Sequence, residues 1–203
     1  MKTFDQKEAI TFGWNTAKQN WRFFVPLLLI VWGITDLLPR FVGQGLQPGT
    51  VSYYLYVVIF QLIGMVISVG LLKISLKILD KKTPKFSDLL VDSPLVVRFI
   101  GASILYYLIV GAGLILLIFP GVIWGIKFGY YRYLIVDKNM GVRESLTESA
   151  KLTDGNKKKL LKLSLALIGV NLLGLLGLLV GLFWSVPTTM IASAFVYRKL
   201  AAK

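Results

Sequence analysis

Residues 119–139 read FPGVIWGIKFGYYRYLIVDKN, a run apolar enough to sit in hydrocarbon that nevertheless carries Lys127 and Arg132. Either it crosses a membrane and two cations need a physical account, or a soluble core must hide it. Composition decides. Of the 203 residues, 56% are hydrophobic and 16% charged, against about half and about a quarter in soluble domains. Outward from this run, apolar segments close to the ~20 residues needed to cross ~30 Å of hydrocarbon recur along the chain, and no long polar segment is left over.

The expectation is one all-α polytopic membrane domain over residues 1–203, a bundle of six transmembrane helices at about 22–38, 53–74, 98–118, 120–136, 160–179 and 182–198. Pro120-Gly121 separates the third span from the fourth, because proline suits a helix start and pushes its predecessor out of helical geometry. The unbroken apolar run from Leu160 to Tyr197 would make a helix of nearly twice the bilayer thickness, so the break is set near Gly177 and Gly181.

A net charge of +13 would suggest nucleic acid in a soluble protein. Here the cations cluster between the apolar runs, and no nucleic-acid partner is expected. With both termini cytoplasmic, every connection rich in Lys and Arg falls on the inner side and the outer loops keep only Arg40, which is the positive-inside pattern of an inner membrane. The N-terminal stretch lacks the short apolar core of a signal peptide, so the first span is expected to act as an uncleaved anchor.

The segments on the inner face are patterned as well. Before the first span Ile10, Trp14, Ala17 and Trp21 share one helical face, the signature of an amphipathic helix lying in the headgroup plane or packed on the bundle's inner rim. A shift of 136 residues superimposes Glu8 on Glu144, Thr11 on Thr147 and Asn20 on Asn156. KKTPKFSDLLVDSPL, from Lys81, holds the equivalent place before the third span as a broken helix. The chain thus parses into three parallel units, about 1–79, 80–137 and 138–203, each an inner-face segment followed by a membrane hairpin. Parallel repeats differ from the inverted repeats of many transporters.

Gly121, Gly125 and Gly129 form a small-residue stripe on the fourth span, and Ser185, Thr189 and Ser193 repeat that spacing on the sixth; both read as helix-packing surfaces, within one chain or between two copies in a homo-oligomer. The glycine stripe points to the fourth span as central to the bundle. Lys127 starts near mid-membrane, where burial costs about 2.5–3.5 kcal/mol on insertion scales. Two kinds of outcome are open for it: snorkelling or an internal hydrogen-bonded role, against an anionic ligand or a hydrated cavity. Arg132, close to Asp137 and flanked by Tyr130, Tyr131 and Tyr133, is expected to reach the inner surface. Lys157, Lys158 and Lys159 follow the turn Asp154-Gly155-Asn156 and open a helix whose dipole they oppose, a conflict that lipid phosphates relieve. These five cations are the candidate lipid and anion contacts.

Cys and His are both absent, which removes thiol nucleophiles, imidazole bases and the commonest zinc ligands. No buried carboxylate pair, glycine-rich phosphate loop or metal-ligand spacing stands out, so neither catalysis, a metal nor a cofactor is expected. The expected role is non-enzymatic engagement of anionic lipids or of a membrane partner. The alternatives are a small anion transporter or channel using Lys127 and an accessory subunit of a soluble enzyme.

From about Leu95 onward, FPGVIWGIKFGYYRYLIVDKNMGVRESLTESAKLTDGNKKKLLKLSL and the closing AFVYRKL resemble a bacterial family of polytopic inner-membrane proteins of largely unknown function, related to the membrane domain attached to some glycerophosphodiester phosphodiesterases. KFSDLL and EAITFGWNTAKQNW are in character too. The resemblance implies a six-helix bundle with short inner-face helices and no catalytic residues in this chain.

Overall fold

The computed structural model describes residues 3–177 and 180–202, and among these every regular element is helical. Helix α1 (Gln6–Gln19) is capped by Asp5, whose carboxylate accepts the Glu8 N–H. Asn20 breaks it from α2 (Trp21–Trp32), which continues through a π-helical turn (Gly33–Leu37) into α3 (Leu38–Val42). Then come α4 (Val51–Leu79), a 3-10 turn (Phe86–Leu89), α5 (Ser93–Leu116), α6 (Ile118–Phe128), α7 (Tyr131–Lys138), α8 (Val142–Leu152), α9 (Lys157–Leu176) and α10 (Leu182–Ala201).

Four of these are long and apolar enough to cross a membrane: the continuous helix Trp21–Val42, then Val51–Leu79, Ser93–Leu116 and Lys157–Leu176. The expected fourth span is not one helix. Extended backbone at Leu117, three residues before Pro120, separates α5 from α6, and the chain breaks again after Phe128. At ~1.5 Å per residue, α6 and α7 reach only about 16 and 12 Å. The second break is tolerated because α8 supplies what the helix loses. Ser149 and Thr153 donate to the Lys127 carbonyl at 3.1 and 3.0 Å, and Ser149 Oγ accepts the Tyr130 N–H at 3.1 Å. The break expected near Gly177 and Gly181 lies between α9 and α10, with residues 178 and 179 outside the described residues.

Helix α1 packs on α10, and it is the small residues that are fully buried there, not the two tryptophans. Ala9, Gly13 and Ala17 are buried, whereas Trp14 and Trp21 are about half exposed. A Cβ on Gly13 would strike the Thr188 carbonyl oxygen, so only glycine lets the two backbones meet there. Lys199 pairs with Glu8 at 3.2 Å and Phe12 stacks on Phe195. The 3-10 turn packs on α4 in a comparable way: a Cβ on Gly70 would lie 2.5 Å from the Leu89 Cα, and Lys77 of α4 pairs with the buried Asp88.

Candidate functional site

The core centre is α7, where Tyr131, Tyr133, Leu134 and Ile135 are all buried. One buried cluster joins Tyr133 and Leu134 to Leu76 of α4 and to Ala194 and Tyr197 of α10. In it Tyr133 stacks on Tyr197 at 5.0 Å, and Tyr130 lies near-parallel to Tyr197 at 6.3 Å. Immediately beyond this aromatic layer the same three helices end in an ionic cluster. Arg198 donates to Asp137 at 2.8 Å and to Asp80 at 2.9 Å, while the Tyr197 hydroxyl donates to Asp137 at 2.7 Å. This cluster escapes a reading by hydropathy, which treats all three residues as span-end charges. The signal that could have found it is an echo in sequence: ILDK at 78–81, IVDK at 135–138 and VYRK at 196–199.

Beside α7, where Tyr131 belongs to a separate buried cluster with Val69, Phe99 and Ala102, a cleft of about 410 Å³ opens between α4 and α5. Its polar lining comprises Thr35, Gln61, Ser68, Ser103, Tyr107 and Arg132, and its apolar lining includes Phe60, Met65 and Phe99. Gln61 and Ser68 lie roughly three to five helical turns from Asp80 along α4, which sets the cleft at the depth of the apolar segments. The Ser103 hydroxyl and the Tyr131 hydroxyl are bonded to each other at 2.8 Å. The π-turn brings Thr35 to the rim, its hydroxyl within reach of the Val31 carbonyl at 2.9 Å and of Asp36 at 2.7 Å.

The two cations of the opening stretch stand in different surroundings. Arg132 lines this cleft with an exposed side chain, and among the described residues no carboxylate is within ion-pairing distance of it; its guanidinium lies 6.0 Å from the Tyr131 ring. Lys127 lies near the end of α6, close to α8 and to the start of α9. Its neighbours Ile126 and Tyr130 pack with Leu160 and Leu163 from the start of α9 and Leu200 from the end of α10, and its carbonyl is held by α8. Its ammonium lies over the Phe128 ring at 5.2 Å. Helix α6 is short, so the chain passes from Leu117 to its contact with α8 within three turns.

The lysine triplet is divided. Lys157 pairs with Asp154 at 3.1 Å, Lys159 bonds Thr3, and Lys158 is exposed. The exposed Asp154 carboxyl is held below its usual range first by the hydrogen bond from Lys157 and by that residue's charge, with a smaller pull from Lys127. Gly121 and Gly125 meet α5, at Leu114 and Tyr106 respectively, whereas Gly129 sits at the break after α6. Ser185 packs against Gly174 of α9, and Thr189 accepts from Asn171 at 3.4 Å. Ser193 turns its hydroxyl back on the Thr189 carbonyl. Among the described residues no group of acidic side chains is arranged to hold a metal.

No curated protein and no solved structure matches the chain, and no match connects it with the membrane domain of glycerophosphodiester phosphodiesterases. A family model described as protein of unknown function, DUF975, matches residues 99–203, a stretch that takes in Arg132, the aromatic layer of α7 and α10, and two of the three charges beneath it. That match spans more than half of the chain, which therefore belongs to this family of unknown function.

Proposed function

We propose that this is a non-enzymatic protein of the bacterial inner membrane that binds the anionic head of a lipid in the Arg132 cleft. The observation that carries the reading is an exposed guanidinium that, among the described residues, has no carboxylate partner and lines a cleft whose other walls are the apolar helices α4 and α5. Such a cation is costly in hydrocarbon unless an anion or water meets it, and arginine's planar fork suits phosphate and carboxylate oxygens. A lining that is half polar and half apolar fits an amphiphile better than a free ion.

The membrane arrangement we infer has six crossings, both termini cytoplasmic, and three units closed into a ring. Helix α6 turns back along α5, with a Cβ on Gly113 falling 2.9 Å from the Gly121 Cα, as the two arms of a hairpin would. The start of α9 packs beside the end of α10, whose Arg198 reaches the end of α4, so these ends share one face. For the repeat, α1 and α8 begin 136 residues apart, at Gln6 and Val142, and bury the same positions, Ala9 and Gly13 in one, Ser145 and Ser149 in the other. Asn20 and Asn156, at the same offset, adopt nearly the same backbone angles, φ −107° with ψ 21° and φ −112° with ψ 5°. Each inner-face segment docks on the returning arm of another unit: α1 on α10, the 3-10 turn on α4, and α8 on the α6–α7 break.

Gentle release from membranes followed by native mass spectrometry tests the lipid reading, with phosphatidylglycerol as the probe. The wild type and Lys127→Ala should retain the lipid, and Arg132→Gln should lose most of it. Equal retention by Arg132→Gln and wild type refutes the assignment.

A further inference from the structure

Helix α1 rests on α10 by its small residues, and its flank forms one wall of a groove of about 510 Å³ between α1, α9 and α10. Thr11 and Trp14 line this groove from α1, Val170 and Leu173 from α9, and Trp184 from α10. None of its lining residues belongs to the Arg132 cleft. Thr188 also lines it, but donates its hydroxyl to the Trp184 carbonyl of its own helix at 2.7 Å, which leaves the groove mainly apolar. The rings of Trp14 and Trp184 stand 6.4 Å apart, and Trp14 is half exposed.

The groove has one charged end. Gln6 donates to the Lys159 carbonyl at 3.2 Å, and Ile10 packs against the cluster that holds Leu160 and Leu163, so α1 and α9 start side by side and the groove runs away from their N-termini. Traced back towards that foot, the face of Thr11 and Trp14 reaches Lys7, and the side of α9 that carries Val170 and Leu173 reaches Lys162. Both lysines are exposed, and among the described residues neither has a carboxylate within ion-pairing distance. Lys159, bonded to the Thr3 hydroxyl, adds a third cation. The acids nearby are engaged: Asp5 accepts the Glu8 N–H at 2.7 Å, and Glu8 pairs with Lys199.

We infer that this groove is a second lipid site, which takes an acyl chain of an anionic phospholipid along Thr11, Trp14 and Val170 and sets its phosphate at the foot beside Lys7, Lys159 and Lys162. An apolar channel with cations at one end has the polarity of an amphiphile, and each cation near a membrane surface adds attraction for an anionic head. The length agrees. From Lys162 to Leu173 α9 rises about 16 Å, close to half of the ~30 Å hydrocarbon layer and so to the depth of one leaflet. A second copy of this chain fits the charge badly, because it brings its own excess of +13 to a foot that is already basic. The site does not depend on the Arg132 reading, and either can fail alone.

Tryptophan quenching tests the inference on the full chain. Of the five tryptophans, Trp21→Phe, Trp32→Phe and Trp124→Phe leave Trp14 and Trp184 as reporters in the groove. In phosphatidylcholine nanodiscs, phosphatidylglycerol with brominated chains should quench them at a mole fraction about tenfold lower than brominated phosphatidylcholine. Lys7→Gln together with Lys162→Gln should bring the two lipids within about twofold of each other, whereas Arg132→Gln should leave the difference intact. If the triple tryptophan variant folds poorly, the natural set serves: its charge-dependent quenching should vanish with Trp14→Phe and Trp184→Phe combined. Equal quenching by the two lipids makes the groove ordinary boundary surface and overturns the site. Shielding of both tryptophans from both lipids assigns the groove to protein, whether a second copy or another chain, and overturns it as well. A preference that Arg132→Gln removes and the lysine variants leave belongs to the cleft, which overturns the groove site and keeps the Arg132 reading.

Discussion

At Gly13 a methyl group has nowhere to go, because its position is taken by the Thr188 carbonyl of α10. At Gly70 the obstacle is the Leu89 backbone, 2.5 Å away. Neither neighbour is a side-chain tip that can swing aside, so Gly13→Ala and Gly70→Ala should each cost about 1–3 kcal/mol through forced displacement of the packed backbone. Gly169→Ala on α9 meets nothing within 4 Å and should be neutral or stabilising by about 0.5–1 kcal/mol. Thermal unfolding in mild detergent, followed by tryptophan fluorescence, checks all three, and equal midpoints for Gly13→Ala and Gly169→Ala would remove the close-approach account of α1. Sequence pattern hid this contact for a definite reason. Ile10, Trp14, Ala17 and Trp21 stand out as one amphipathic face, of which Ala17 is buried and the two tryptophans are not; where the surroundings are lipid, large apolar groups gain little by turning inward and small ones gain close packing. Ala9, Gly13 and Ala17 carried the signal, at a spacing that the sequence displays openly on the fourth and sixth spans.

Between α6 and α7 the lost helical bonding is replaced by two hydroxyls from α8, which makes the break a property of three elements and not of Gly129 alone. Ser149→Ala should leave the Tyr130 N–H without its acceptor, at about 1–3 kcal/mol, and raise hydrogen exchange at that amide, whereas Thr153→Val leaves the Lys127 carbonyl its Ser149 donor and should cost less and spare the Tyr130 amide. Protection there that is unchanged would mean the break holds by its own geometry. The 3-10 turn offers a pH test. Burial pushes the Asp88 carboxyl up, but bonds from Lys77 and the Lys85 N–H and the charges of Lys77 and Lys73 outweigh it and leave the group below its ordinary 3.8. A lowered folded value means that the stabilisation is present above the unfolded value and is lost as pH falls through the folded one. Protection of the 86–89 amides should therefore hold from pH 7 to about 4 and fall below that, and Asp88→Asn should flatten the profile. The sequence showed that this segment could only be a broken helix, because two prolines say so; it could not show that Asp88 faces Lys77 of α4, since that pairing depends on how the chain returns.

At the scale of the molecule, hydropathy makes the apolar helices legible, whereas the route between them is set by contacts that no window of residues contains. Four helices are apolar enough to cross unaided, and a chain that crossed only with these would run outward along α5, stay outside through α6, α7 and α8, and return along α9. Lys158, at the start of α9, would then face the exterior. With six crossings α6 and α7 together bring the chain back, helped by neighbours that shield their break, and Lys158 faces the cytoplasm with Lys82. The packing of Leu160 beside Leu200 favours the second route, because Arg198, two residues before Leu200, is tied to Asp80 at the end of α4. Single-cysteine variants Gln44→Cys, Lys82→Cys and Lys158→Cys, all at exposed positions, separate the two. In intact cells an impermeant maleimide should label only Gln44→Cys; after permeabilisation all three should react. Labelling of Lys158→Cys from outside, with Lys82→Cys still protected, would leave four crossings, break the ring of three units at its third member and strand Arg198 on the opposite face from α9's lysines.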